Sequence, residues 1–149
     1  FMKPINPKAR IKSSNKIVIN ANSVEVWKVL TDIDNWASWQ TEIKSPVVEG
    51  AVRAGSNFTW KTGGLKIKSV LHTVEPYTQF GWTGKSLGIF AIHNWTITEL
   101  NKQTEVLVEE SMEGILTWVL KPFLKSGLEK GNQKWLKMKK KECERYQEI

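Results

Sequence analysis

An α+β fold is predicted from the order in which hydrophobic periodicities appear along the 149 residues. A short alternating segment comes first, two short helical patterns follow, and a block of β-type sequence runs to about residue 112. The spacing then switches to helical and stays so from Gly114 to the end. Length and a hydrophobic content of 40% fit one domain, 1–149, with residues 1–14 as an N-terminal extension.

Taken in order, residues 15–20 alternate around Ile17 and Ile19 as the first strand. Asn22 with Glu25 three residues on is a capping pair, so a helix starts there and turns Val26, Val29 and Leu30 to one side. Asp32 or Asp34 restarts a short second helix, whose Trp36 and Trp39 brace the helix pair against the sheet. Six strands follow, over residues 44–49, 56–62, 65–75, 78–84, 87–99 and 103–112, each rich in Val, Ile, Thr, Phe or Trp. Gly63-Gly64 is the clearest hairpin turn, since glycine accepts the positive φ that a two-residue turn requires. Asn101-Lys102 makes the last turn, and Pro76 ends the third of these strands because proline cannot donate to a ladder. In the tail, Leu120, Leu124, Leu128, Trp135 and Met138 form one stripe of a single long helix, with Pro122 in its first turn or at a kink.

Composition excludes several classes of function. No apolar run approaches the roughly 20 residues needed to cross a bilayer, and residues 1–22 lack a secretion signal, so a soluble, cytoplasmic protein is expected. Cys143 is the sole cysteine, which excludes an internal disulfide and a thiolate metal site, and no metal or cofactor is expected. The 22 Lys and Arg against 15 Asp and Glu give a net charge of +7. Lys134, Lys137, Lys139, Lys140 and Lys141 read as a solvated helix face, without any nucleic-acid-binding motif, which leaves weak contact with an anionic membrane as the partner that charge allows. There is no Gly-rich phosphate loop or Gly-x-Ser-x-Gly elbow, and His72 is far from His93 in sequence.

Of the eight tryptophans, Trp60, Trp82 and Trp95 fall at inward-matched positions of separate strands, so they either fill a core or wall a pocket. Phe58 shares a face with Trp60, and Phe80 with Trp82. The final hairpin has a register that its turn sets: if Leu100 faces Gln103, then Trp95 opposes Val108, Ile97 opposes Val106 and His93 opposes Glu110. This puts His93 and Glu110 together on the inward face beside Ala91, Trp95 and Met112. Such a pair is either a self-satisfied core hydrogen bond or a polar handle for a ligand, with Glu110 holding one His93 tautomer. Gly127 and Gly131 lie at i and i+4 on the helix face of Leu124 and Trp135, where each costs about 1 kcal/mol of helix stability relative to Ala. Close helix–sheet packing and room for a ligand explain them equally well. Leu120, Phe123 and Leu124 are expected near a mouth, with loops at Gly63-Gly64 or at Gly84 and Gly88 gating access.

Several phrases resemble the START-like (SRPBCC) superfamily, which includes polyketide cyclases and lipid-transfer proteins. They are Ser23-Val24-Glu25-Val26-Trp27 with Trp36 and Trp39, Val74-Glu75-Pro76 before Phe80-Gly81-Trp82, His93-Asn94-Trp95-Thr96-Ile97, Glu110 through Glu113-Gly114, and Gly127-Leu128 with Leu136-Lys137. The resemblance covers residues 16–144 and implies a helix-grip fold: a seven-stranded curved antiparallel sheet in the order β-α-α-β6-α, wrapped around the terminal helix. It also implies a hydrophobic small molecule or lipid held between sheet and helix. The expected ligand-binding residues are Phe58, Trp60, Trp82, His93, Trp95, Glu110, Met112, Leu120, Phe123, Leu124, Gly127, Leu128 and Gly131. Two other roles on the same fold are a cyclase/dehydratase-like enzyme using His93 and Glu110 as acid and base, and a protein-interaction module.

Overall fold

The computed structural model describes residues 2–145. Its elements run β1 (Ile11–Ile19), α1 (Ser23–Thr31), a 3-10 helix (Ile33–Ser38), β2 (Ile43–Val48), β3 (Asn57–Thr62), β4 (Leu65–Glu75), β5 (Gln79–Ser86), β6 (Ile89–Leu100), β7 (Gln103–Glu113), α2 (Ile115–Val119) and α3 (Lys121–Arg145). The seven strands form one antiparallel sheet in the order β1-β7-β6-β5-β4-β3-β2, so each strand from β2 to β7 pairs with its chain neighbour and β1 closes onto β7. The helix-grip architecture is therefore observed.

Local chemistry explains most boundaries. The Asn22 side chain accepts from the Glu25 backbone N–H and caps α1. Gly63 and Gly64 take φ of 55° and 77° in the β3–β4 turn. The register of the last hairpin is the predicted one, with Trp95 opposite Val108 and His93 opposite Glu110.

Three expectations are corrected. First, β1 begins at Ile11 rather than residue 15, because Ile11 is fully buried opposite Met112 while Ser13 and Asn15 mask the alternation. Second, the terminal helix is split: α2 ends at Val119 and α3 starts at Lys121, with Pro122 in the first turn of α3, where its missing N–H costs nothing. Leu120 caps that break and stands 40% exposed, off the buried stripe. Residues 146–149, which the helical reading included, lie outside the described residues. Third, Lys139 is fully buried, not on a solvated face. The 25 residues of α3, about 37 Å of helix, bury Leu128, Asn132, Trp135, Leu136, Lys139 and Cys143. Two polar side chains on that face hid it from a hydrophobic pattern.

The core is aromatic. Trp36, wholly buried, meets Phe58 at 5.6 Å and Trp135 at 5.1 Å edge-on, and tilts against Trp82 at 5.3 Å. Edge-to-face contacts of this kind add to the burial of the rings themselves. Lys139 lies beneath this cluster, its Nζ 5.0 Å over the Trp95 ring and without a hydrogen-bond partner. Burial pushes its ammonium down to about 7, outweighing the opposite influence of nearby Cys143.

Candidate functional site

Beyond the aromatic cluster the interior is hollow. A cavity of about 330 Å³ lies between α3 and the sheet, which is within the range of small-molecule sites. Its sheet side is built by Trp60, Ile67, Trp82, Ala91, His93 and Met112, alternate inward residues of five strands. Its helix side is Phe123, Leu124, Gly127, Leu128, Gly131 and Trp135. Gly127 and Gly131 make the hollow possible, since a Cβ added at either would meet nothing within 4 Å. They leave room and do not serve close packing.

One polar constellation interrupts this apolar wall. His93 is 3% exposed and donates from Nδ1 to Oε2 of Glu110 at 2.8 Å. Asn132 of α3 donates to the same oxygen at 3.3 Å. Two donors on one carboxylate oxygen hold Glu110 in place, and in the tautomer whose Nδ1–H meets Glu110, Nε2 is the ring's acceptor. That Nε2 is buried with no partner in the protein. Trp82 stacks flat on the imidazole, with centroids 4.3 Å apart and planes at 6°, which locks the ring orientation. A buried acceptor without a donor is costly, on the order of 1–3 kcal/mol, and such atoms gather where a ligand completes them.

Most of the residues singled out from sequence meet at this cavity: Trp60, Trp82, His93, Glu110 and Met112 from the sheet, with the α3 residues from Phe123 to Gly131. Three stand apart. Phe58 and Trp95 are packed into the solid aromatic core, one against Trp36 and the other against Trp135 and Lys139. Leu120 sits in the break between helices. Gly84 belongs to β5 rather than a gating loop, and its Cβ would press on Ile67 at 3.2 Å. Sequence reasoning missed Asn132, Gln40 and Glu42; Gln40 and Glu42 line the cavity beside Thr62, where Lys134 of α3 pairs with Glu42 at 2.6 Å. Asn132 could have been found as the polar residue four after Leu128 and three before Trp135, on their face of the helix. His72 lies half-buried on the opposite side of the sheet against Gly81 and Asn94 and takes no part. Among the described residues no group of three or more His, Cys, Asp and Glu side chains converges as a metal site would.

A curved antiparallel sheet gripping a long helix, with an apolar cavity between them, defines the START-like class. The chain belongs to the family described as polyketide cyclase / dehydrase and lipid transport, which it matches over residues 10–144. No curated protein matches the sequence. Among solved structures it is similar to hypothetical protein jhp0584 from Helicobacter pylori, at 17% identity and TM-score 0.80, covering 93% of this chain and 95% of that one. A START superfamily protein from Mycobacterium smegmatis has 15% identity and TM-score 0.79, with 91% and 98% covered. The Zhui aromatase/cyclase from Streptomyces sp. R1128 has 12% identity and TM-score 0.80, with 90% and 93% covered. At these identities the likeness is one of fold. No helix among the described residues is long and apolar enough to cross a membrane.

Proposed function

We propose that this protein binds, and could carry, an apolar small molecule that bears a hydroxyl or other N–H or O–H donor, seated between the sheet and α3. The observation that carries this reading is the unpartnered Nε2 of His93 in the wall of an otherwise apolar cavity. Glu110 and Asn132 hold the imidazole so that Nε2 accepts, Trp82 and Trp60 offer flat apolar surface, and the two glycines of α3 give the ligand its space. Polar groups elsewhere in the lining, such as Thr62, Lys85 and Ser86, lie toward the strand ends where the mouth opens. Burial of the ligand's carbons supplies affinity, at about 0.8 kcal/mol per methylene, and the one hydrogen bond supplies orientation.

The test compares 2-naphthol with naphthalene as probes. The parent protein is expected to prefer the naphthol by roughly five- to tenfold, the net value of one buried hydrogen bond. His93→Ala removes that preference while naphthalene binds as before. Equal binding of both probes by the parent would refute the hydrogen-bonding role.

A second reading rests on the same dyad. A His held by a carboxylate is a competent proton acceptor, and the aromatase/cyclase among the similar structures has this fold, so His93 could take a proton from a bound enolisable ligand and return it elsewhere. Glu110→Gln separates the two readings: it leaves a carrier able to bind, but it lowers turnover in an enzyme by far more than it lowers affinity.

A further inference from the structure

The outer face of the sheet carries a charge pattern that its own stability argues against. Lys44 of β2 pairs in register with Lys61 of β3, and Lys61 with Lys66 of β4. One step further along β4, Lys68 pairs with Lys85 of β5. All five are exposed; Lys44, Lys61, Lys66 and Lys68 take no part in the cavity lining, and Lys85 borders it at the mouth. Like charges directly opposite each other on neighbouring strands destabilise a sheet. Among the described residues none of the five has an acidic side chain within ion-pair distance. A ladder of uncompensated lysines is the footprint of an anionic partner.

The strands carry these lysines close to the end of the sheet that bears the mouth of the cavity. At that end five large apolar side chains face solvent: Leu87 on the β5–β6 turn, Ile115, Trp118 and Val119 on α2, and Phe123 at the start of α3, each between 68 and 79% exposed. The turn and α2 touch, because a Cβ on Gly88 would come within 4.0 Å of Leu116 and one on Gly114 would strike the Gly88 carbonyl. The guanidinium of Arg10 lies 3.5 Å over the Trp118 ring. Phe123 also lines the cavity, so the apolar rim is continuous with the interior.

We infer that this end docks on the surface of an anionic lipid bilayer, with the lysine ladder at the headgroups and Leu87, Trp118 and Phe123 inserted at the interface. Nucleic acid would use the lysines and leave the apolar rim unexplained. An acidic protein would need a shaped apolar recess, whereas these side chains stand on a turn tip, a helix of five residues and the first turn of α3. A fluid anionic surface matches both features: interfacial Trp and Arg sit at headgroup level, and each lysine near such a surface strengthens binding by roughly fivefold. The inference is independent of which molecule occupies the cavity.

Cosedimentation with vesicles tests it, using phosphatidylcholine alone and a 7:3 mixture with phosphatidylserine at low and high salt. The protein is expected to bind the mixed vesicles at low salt, to release them at high salt, and to ignore the neutral ones. The triple variant Lys61→Gln, Lys66→Gln, Lys68→Gln should bind roughly 100-fold more weakly. It should melt no lower than the parent, since it removes like-charge pairs. Trp118→Ser with Phe123→Ser should weaken binding without changing its salt dependence. Gly131→Leu, which crowds the cavity, should bind vesicles as the parent does, so that failure of the ligand reading and failure of this one are told apart. Absence of vesicle binding, equal binding to neutral vesicles, undiminished binding by the triple variant, or loss of binding in Gly131→Leu would overturn the inference. Binding to duplex DNA or polyglutamate without binding to vesicles would overturn it as well.

Discussion

The two cavity glycines allow a test in which stability and binding move in opposite directions. Gly127 and Gly131 lie inside a 25-residue helix, where glycine costs about 1 kcal/mol each relative to alanine. Because no atom lies within 4 Å of an added Cβ, Gly127→Ala and Gly131→Ala introduce no clash. The double variant should therefore gain about 2 kcal/mol, which for a chain of this size raises Tm by about 4–8 °C. Gly131→Leu goes further into the cavity. Its four carbons, each near the 30 Å³ share of a water molecule, take roughly 120 Å³. That is about a third of the 330 Å³ available. Excluding about four ligand carbons at about 0.8 kcal/mol each forfeits about 3 kcal/mol, more than a hundredfold in Kd. Thermal unfolding and titration with 1-anilinonaphthalene-8-sulfonate measure the two quantities on the same samples. A Gly131→Leu protein that bound the dye like the parent, or a double alanine variant that melted lower, would refute the account of why these glycines are here.

Other expectations follow from single groups. Glu110→Leu strands the donors of His93 Nδ1 and Asn132 Nδ2 in the interior, and urea denaturation should show a loss of about 3 kcal/mol. Lys139 has its folded value lowered to about 7 from 10.5 by burial, so the folded state releases its proton before the unfolded state does. Stability should then rise by up to about 1.4 kcal/mol per pH unit between pH 7 and 9, and Lys139→Met should be more stable at pH 7 with this slope removed; parallel curves for the two proteins would contradict it. Above pH 9 the rise should level off, because burial raises the Cys143 thiol to about 11 and the unfolded chain loses that proton first, which offsets the Lys139 contribution. Gly114→Ala places a Cβ against the Gly88 carbonyl at a φ of 119°, and calorimetry should show a loss of several kcal/mol with separation of α2 from the β5–β6 turn.

Much of the architecture was written in local chemistry. Two-residue turns at Gly63-Gly64 and Asn101-Lys102, with strict alternation on either side, dictate which side chains share a face, and so His93 meets Glu110 as predicted. The helical period from residue 114 onward named the face that bears Gly127 and Gly131. These are short-range consequences of backbone geometry, and they need no knowledge of distant neighbours.

What only the tertiary structure decided are the features that depend on the distance between layers. Whether the Trp60, Trp82 and Trp95 faces enclose space or fill it is set by where Trp36 and Trp135 come to rest, and the result is divided: Trp95 is solid core, whereas Trp60 and Trp82 wall a hollow. Lys139 sits on α3 among Lys137, Lys140 and Lys141, and its charge hides that it shares a face with Trp135 and Cys143; its burial followed only when that face packed against the rest of the fold. The lysine ladder likewise emerged only when β2, β3, β4 and β5 were paired, because charges spaced from residue 44 to residue 85 interact only after the sheet has brought them to one face. Period and turn chemistry act within a few residues, but cavities, buried cations and surface charge fields are sums over the whole folded chain.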